Sequence, residues 1–320
     1  MNSSKSKYDG LRVRLCGPIY PIPVAFKEDF SLDCDGVARY VEFLNSHNVR
    51  SVMVTAGTSR LNLLTEDEVR RLNEVVVEAN GGRAVSIAAN PMTGGVGKAV
   101  EFAKHAEAIG ADAILLYYPE RYYNDGRVFD YFRQVASSVK IGVLLHGIPM
   151  RNAHAGEAPT KQYSVSLCER LAALDNMVGM KEESGDEGHR YKLATHLRGK
   201  MSLIVAGASM RMFLGCVLLG VESYLVGVGS FKPEIEEQFY QAVRDGRYAR
   251  ALGFVTEFEE PFFDVAFPMG WHIAMKGAME LLGLMSSVER PPLGPPDAEQ
   301  RKALADVMTR LGWLQPGRGN

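Results

Sequence analysis

The chain has 320 residues, 46% of them hydrophobic and 23% charged, and a formal net charge of −2 at pH 7. That composition suits a globular protein of one large domain or two modest ones, and it lacks the basic stripe interleaved with aromatics that nucleic-acid binding requires. No apolar run nears the roughly 18 residues of a membrane span, and residues 1–10 lack the apolar core of a secretion signal, so a cytoplasmic location is expected.

Cys16, Cys34, Cys168 and Cys216 are scattered, with no CxxC pair, so they suggest neither a disulfide framework nor a zinc knuckle. Short β-rich apolar runs recur at 13–19, 51–56, 85–89, 113–118, 141–146, 177–181, 202–206 and 223–228. Several are almost continuously apolar, as strands covered on both faces of a parallel sheet are. Amphipathic stretches lie between them. Thr65 is placed to cap a helix whose first turn is Glu66-Asp67-Glu68, with Val69, Leu72 and Val76 on one face. Residues 98–109 and 163–174 carry similar stripes. Past residue 232 the strand signal vanishes, and helices are expected at 234–245, 248–263, 271–282 and 297–311, with a stiff proline-rich connector at 290–296.

Eight strands alternating with helices predict a (β/α)8 TIM barrel over residues 10–232 and a C-terminal helical extension over 233–320. A doubly wound sheet would show a glycine-rich GxGxxG turn after its first strand, and Gly17-Pro18-Ile19-Tyr20 is not one.

In such barrels chemistry gathers at the C-terminal strand ends. The second strand ends in Gly57-Thr58-Ser59, two hydroxyls and free N–H groups able to hold a carboxylate. The fifth ends in His146-Gly147-Ile148-Pro149-Met150-Arg151. The sixth ends in Lys181, the seventh at Gly207 and the eighth at Gly227-Val228-Gly229. A lysine at the end of a buried strand is placed to become a neutral nucleophile, because burial disfavours its charged form. The plain alternative is a lysine whose stem lies on apolar surface and whose head snorkels into solvent.

Further stretches carry a resemblance. Phe26-Lys27-Glu28-Asp29, Gly57-Thr58-Ser59, Gly110-Ala111-Asp112-Ala113, Tyr122-Tyr123-Asn124, Gly179-Met180-Lys181-Glu182 with Ser184-Gly185-Asp186, and Arg290-Pro291-Pro292-Leu293 are similar to segments of the dihydrodipicolinate synthase / N-acetylneuraminate lyase family of pyruvate-handling class I lyases. The likeness spans nearly the whole chain. It implies that Lys181 forms a covalent imine with a 2-oxo acid, with no other cofactor and no metal. It also implies that Thr58 and Ser59 hold the substrate carboxylate and that the chain assembles as a homo-oligomer, dimer or tetramer; Gly207 and Gly227, small residues at strand ends, leave room for a small substrate or simply make tight turns.

The departures shape the expected activity. Where the family usually has a proton-shuttling tyrosine, this chain has His146, an imidazole able to move protons near neutral pH. Where the carboxylate loop normally continues Gly-Glu, it has Arg60-Leu61. The tyrosine pair after the fourth strand is displaced to Tyr122-Tyr123, either of which is a candidate for the site. Arg151 matches an arginine that contacts the second substrate's carboxylate in the synthase branch. Glu182 and Glu183 are expected to position their loop. A retro-aldol or dehydratase reaction on a 2-oxo acid such as pyruvate or a deoxy sugar acid is therefore expected over authentic dihydrodipicolinate synthesis. The alternatives are a degenerate member that binds a 2-oxo acid without turnover, a metal-dependent aldolase or hydrolase, for which only His146 of seven histidines stands at a strand end, and a phosphate-binding barrel.

Overall fold

The computed structural model describes residues 3–118, 121–122, 124–148, 151–152, 162–207 and 209–315, with side chains described from Lys7 onward and not for 121–122 or 151–152. Eight parallel strands close into a barrel: β1 Gly17–Pro21, β2 Ser51–Met53, β3 Val85–Ala89, β4 Ala113–Leu116, β5 Gly142–Gly147, β6 Met177–Glu182, β7 Ser202–Val205 and β8 Ser223–Leu225. Each pairs with its neighbours in sequence, and β1 closes on β8 through Gly17 opposite Ser223 and Ile19 opposite Leu225. The strands are buried along almost their whole length, which is why they are written in Val, Ile, Leu and Ala rather than in alternating polar residues. The expected (β/α)8 barrel is the architecture found.

The first strand is displaced from its expected place. Residues 3–14 form helix α1, Ser3–Arg14, and β1 begins only at Gly17. Tyr8, Leu11 and Leu15, spaced as one helical face, are buried beneath the barrel. The Tyr8 hydroxyl donates to the Lys140 carbonyl at 2.9 Å, and Leu11 lies so close to Gly142 that a β-carbon there would stand 2.6 Å from its Cδ2. The helix therefore covers the mouth opposite the strand C-termini. Of the apolar run 13–19 read as a strand, 13–14 end the helix, 15–16 connect and 17–19 open β1.

Outside the barrel lie α2 Cys34–Ser46, α3 Glu66–Asn80, α4 Val96–Ala108, α5 Asp125–Ala136, α6 Val165–Ala172, α7 Glu187–Leu197 and α8 Ser209–Cys216. Thr65 caps α3 as expected, in a reciprocal arrangement with Glu68 that satisfies two otherwise unpaired amides. The extension comprises α9 Pro233–Arg244, α10 Tyr248–Phe254, α11 Glu260–Met269, α12 Trp271–Leu281 and α13 Ala298–Arg310. The helix expected at 248–263 is not continuous: a π-helical turn at Val255–Glu259 joins α10 to α11, which runs on to Met269. One apolar core runs from Tyr8 and Leu11 through the barrel to Phe262, Leu304 and Trp313 of the extension.

Candidate active site

A cavity of about 500 Å³ opens at the C-terminal ends of the strands. Lys181, His146, Glu183, Thr58 and Gly207 line it, with Phe263, Trp271 and His272 of the extension completing its wall. In the sheet His146 stands directly opposite Lys181, so β5 and β6 present both side chains to the barrel interior at the same level. Lys181 is 3% exposed and His146 4%, so the amine and the imidazole are sheltered from bulk water.

The Lys181 Nζ lies 3.2 Å from His146 Nε2 and in direct contact with Glu183 Oε2. The same Glu183 oxygen is 2.8 Å from His146 Nε2. Burial would push the Glu183 carboxyl up, but the Lys181 charge and the hydrogen bond with His146 outweigh it and hold the carboxyl well below the usual range. Burial pushes the His146 imidazole down to about 4, with the Lys181 charge adding to the effect, so the ring is neutral at pH 7. Its Nδ1 is buried and has no partner among the described residues. A neutral imidazole between an amine and a carboxylate is suited to passing protons.

Side-chain alternation explains which glutamate takes part. Lys181 points into the barrel, and Glu182, next along the strand, points out, where it accepts from Arg190 Nε at 2.5 Å and from the Ser184 amide at 2.9 Å. Glu182 thus anchors the loop, as expected. Glu183 turns inward again and joins the site, a role that reading both acids as loop supports did not anticipate. The period-2 rule carried two residues past Lys181 was the available signal.

Tyr117, just past β4, is a second unforeseen member. Its hydroxyl accepts from the Ala56 amide at 2.6 Å and lies 3.3 Å from Thr55 Oγ1, while its ring meets the His146 ring edge-on with centroids 5.0 Å apart. Burial raises its hydroxyl above the ordinary phenol range. The ring fixes the imidazole against the carboxylate loop.

The hydroxyl pair of that loop divides. Thr58 lines the cavity. Ser59 does not: it is fully buried, its hydroxyl donating to the Ile22 carbonyl at 2.5 Å and accepting from the Thr55 amide at 3.0 Å, which commits it to holding the turn. Neither the Gly57 nor the Thr58 amide has a partner among the described residues. Arg60 is not solvated. It adopts a left-handed backbone with φ +52° and forms a buried fork onto Glu289 of the extension, with Nη2 to Oε1 at 2.7 Å. Lys276 of α12 stands 3.5 Å from the same carboxylate.

Gly207 borders the cavity with φ +105°, a conformation that favours glycine, and a β-carbon there would meet nothing within 4 Å. Gly227 lines the cavity too, and its lack of a side chain also makes room for protein, since a β-carbon there would stand 2.9 Å from Phe263 Cζ and 3.0 Å from Ser209 Cβ. Gly57 likewise admits His272, whose Cε1 would lie 2.8 Å away. The backbones of 121–122 and 151–152 pair as a short parallel ladder. Tyr123 and the side chains of Tyr122 and Arg151 lie outside the described residues. Among the described residues no group of three His, Cys, Asp or Glu side chains is arranged to hold a metal, and no helix is long and apolar enough to cross a membrane.

Comparison with known proteins agrees with this geometry. The model of the dihydrodipicolinate synthetase family matches residues 15–311. A 4-hydroxy-tetrahydrodipicolinate synthase of Methanothrix thermoacetophila is 28% identical over 92% of this chain and 97% of its own. A protein of Halobacterium salinarum named an uncharacterized DapA-like lyase is also 28% identical, over 94% of this chain and 95% of its own. The crystal structure of dihydrodipicolinate synthase from Oceanobacillus iheyensis superposes with a TM-score of 0.83 at 22% identity, covering 95% of this chain and 99% of that one. With a lysine on β6 lining the same cavity as the Gly57-Thr58 turn after β2, and a family match across almost its full length, the chain belongs to the dihydrodipicolinate synthetase family, whose members are class I, Schiff-base-forming lyases.

Proposed function

We propose that the protein cleaves or dehydrates a 2-oxo acid through an imine on Lys181, and that it is not a 4-hydroxy-tetrahydrodipicolinate synthase. The observation that carries this is the buried Lys181 amine on the cavity wall, in contact with Glu183 and 3.2 Å from His146 Nε2. Thr58 and the free amides of Gly57 and Thr58 receive the substrate carboxylate. The amine nitrogen, relieved of its extra proton by the His146–Glu183 pair, attacks the carbonyl carbon. The carbonyl electrons pass to oxygen, which is protonated and leaves as water, giving the protonated imine. That cation accepts the electron pair released when the C3–C4 bond breaks, while His146 takes the proton of the C4 hydroxyl as the aldehyde departs. In dehydration the same sink accepts the pair left by a C3 proton, and the enamine then expels the C4 hydroxyl, which takes up that proton and leaves as water to give an unsaturated imine. Reprotonation of the enamine after cleavage, followed by hydrolysis of the imine, or hydrolysis alone after dehydration, restores Lys181.

The histidine is what separates this reading from the synthase, because the resemblance places the proton-shuttling tyrosine of that reaction at His146. Arg151 and Tyr122 or Tyr123 enter as further substrate contacts on the sequence resemblance alone. A binder without turnover is the second reading, favoured by the direct Lys181–Glu183 contact, which holds the amine in an ion pair before substrate arrives.

Incubation with pyruvate and borohydride, followed by intact mass, tests the nucleophile. One reduced pyruvate per chain is expected on the wild type and none on Lys181→Ala. Failure of the wild type to gain that mass sinks the proposal. An adduct with no turnover across a 2-oxo acid panel moves the protein to the binder, and efficient condensation of pyruvate with aspartate semialdehyde restores the synthase.

A further inference from the structure

The extension adds an aromatic stretch to the wall of the cavity that the barrel strands otherwise line. Phe263 and Phe267 of α11 and Trp271 of α12 line it together. Their rings form one cluster, with centroids 4.5 Å apart for Phe263–Phe267, 5.3 Å for Phe263–Trp271 and 6.4 Å for Phe267–Trp271. The cluster seats against the strand end, since Phe263 occupies the space a side chain at position 227 would need.

The opening is apolar as well. Large exposed hydrophobic side chains are few among the described residues, and Met92, Ile148 and Phe267, at 38%, 45% and 44% exposed, all line this one cavity. Apolar surface gathered at the rim of a cavity marks what the cavity receives. Polyhydroxylated chains need a matching set of donors and acceptors, and beyond Thr55, Thr58, Asn62, Ser209 and His272 the described side chains lining the cavity outside the Lys181–His146–Glu183 cluster are apolar.

Building on the Schiff-base reading above, we infer that the fragment beyond C3 of the substrate is a planar aromatic group, stacked on the Phe263–Phe267–Trp271 cluster, so that the substrate is an aryl-bearing 2-oxo acid and the departing aldehyde is aromatic. The edges of these rings suit a flat partner in offset or edge-on contact. His272, set over Gly57 at the junction of the wall and the carboxylate loop, is the polar group placed to meet a substituent on that partner. Burial, and then the Arg60 charge, push its imidazole down to about 4, so the ring offers both a donor and an acceptor at neutral pH.

Borohydride trapping on Lys181 reads occupancy without requiring turnover. Half-saturating concentrations are measured for benzylidenepyruvate, for a polyhydroxylated 2-oxo-3-deoxy sugar acid and for 4-hydroxy-2-oxoglutarate, with pyruvate as the reference. Benzylidenepyruvate is expected to saturate at about one-tenth the concentration of either competitor or lower. Phe267→Ala, at a partly exposed position whose loss leaves the core intact, is expected to raise the benzylidenepyruvate value about tenfold and leave that of pyruvate within twofold. Equal or tighter trapping of the sugar acid or the dicarboxylate overturns the inference, as does an unchanged benzylidenepyruvate value in Phe267→Ala. If pyruvate itself is not trapped, the Schiff-base reading has failed, a result distinct from pyruvate trapped without an aromatic preference.

Discussion

Three side chains, Lys181, His146 and Glu183, meet at the strand ends, and only two of them stood out in the sequence. Lys181 stood out by its place at the end of an apolar strand, and His146 by its place at the end of the strand that turned out to be its neighbour. Glu183 did not, because a second acid beside it served equally well on paper and only the facing of the strand separates them. Ser59 shows the converse: a hydroxyl in the right motif is consumed by the turn it stabilises. If His146 and Glu183 move protons while Lys181 makes the bond, substitution should separate the two acts. His146→Phe and Glu183→Gln are expected to form the trapped pyruvate adduct more slowly but still to one per chain, while kcat on the true substrate falls by about two to four orders of magnitude. Unchanged turnover in His146→Phe returns the imidazole to a space-filling role.

Elements of the barrel and the extension are joined through charges at buried positions. Arg60 follows the carboxylate loop in a left-handed conformation that costs a non-glycine residue energy, and its fork onto Glu289 holds it there. Lys276, pushed down to about 8 by burial against the opposing pull of Glu289, also donates to the Val288 carbonyl at 2.6 Å. A second tie lies outside it: Arg290 pairs with Glu68, the residue that completes the α3 cap, and donates to the Leu63 carbonyl at 2.9 Å. Glu289→Gln leaves Arg60 and Lys276 as buried cations without their carboxylate, and should destabilise the fold by about 3–5 kcal/mol in urea unfolding. A loss below about 1 kcal/mol would mean that water reaches the cluster. None of these ties was visible beforehand, since Arg60 and Glu289 are 229 residues apart and a charged residue carries no mark of being buried. Strand positions were legible because burial on two faces writes itself into consecutive residues. Helix α1 was not, because its few inward residues run straight into the apolar start of β1.

At the scale of the whole molecule, acid should loosen the fold through its buried imidazoles. His146 takes a proton near pH 6.5 once unfolded but near pH 4 when folded, so its contribution to stability is complete above pH 6.5 and is lost as the pH falls toward 4. At pH 4.5 that loss is about 2–3 kcal/mol. Unfolding free energies at pH 7 and pH 4.5 should therefore differ less for His146→Phe than for the wild type, and equal differences would show that the ring is not buried in its neutral form. The extension completes the same core as the barrel, yet Lys181, His146 and Glu183 all belong to the barrel. Bond-making machinery and the surface that chooses its cargo thus belong to separate stretches of chain. Changes confined to α11 and α12 can retune which compounds are accepted while the nucleophile and its proton relay stay as they are, a division of labour that makes this architecture easy to repurpose.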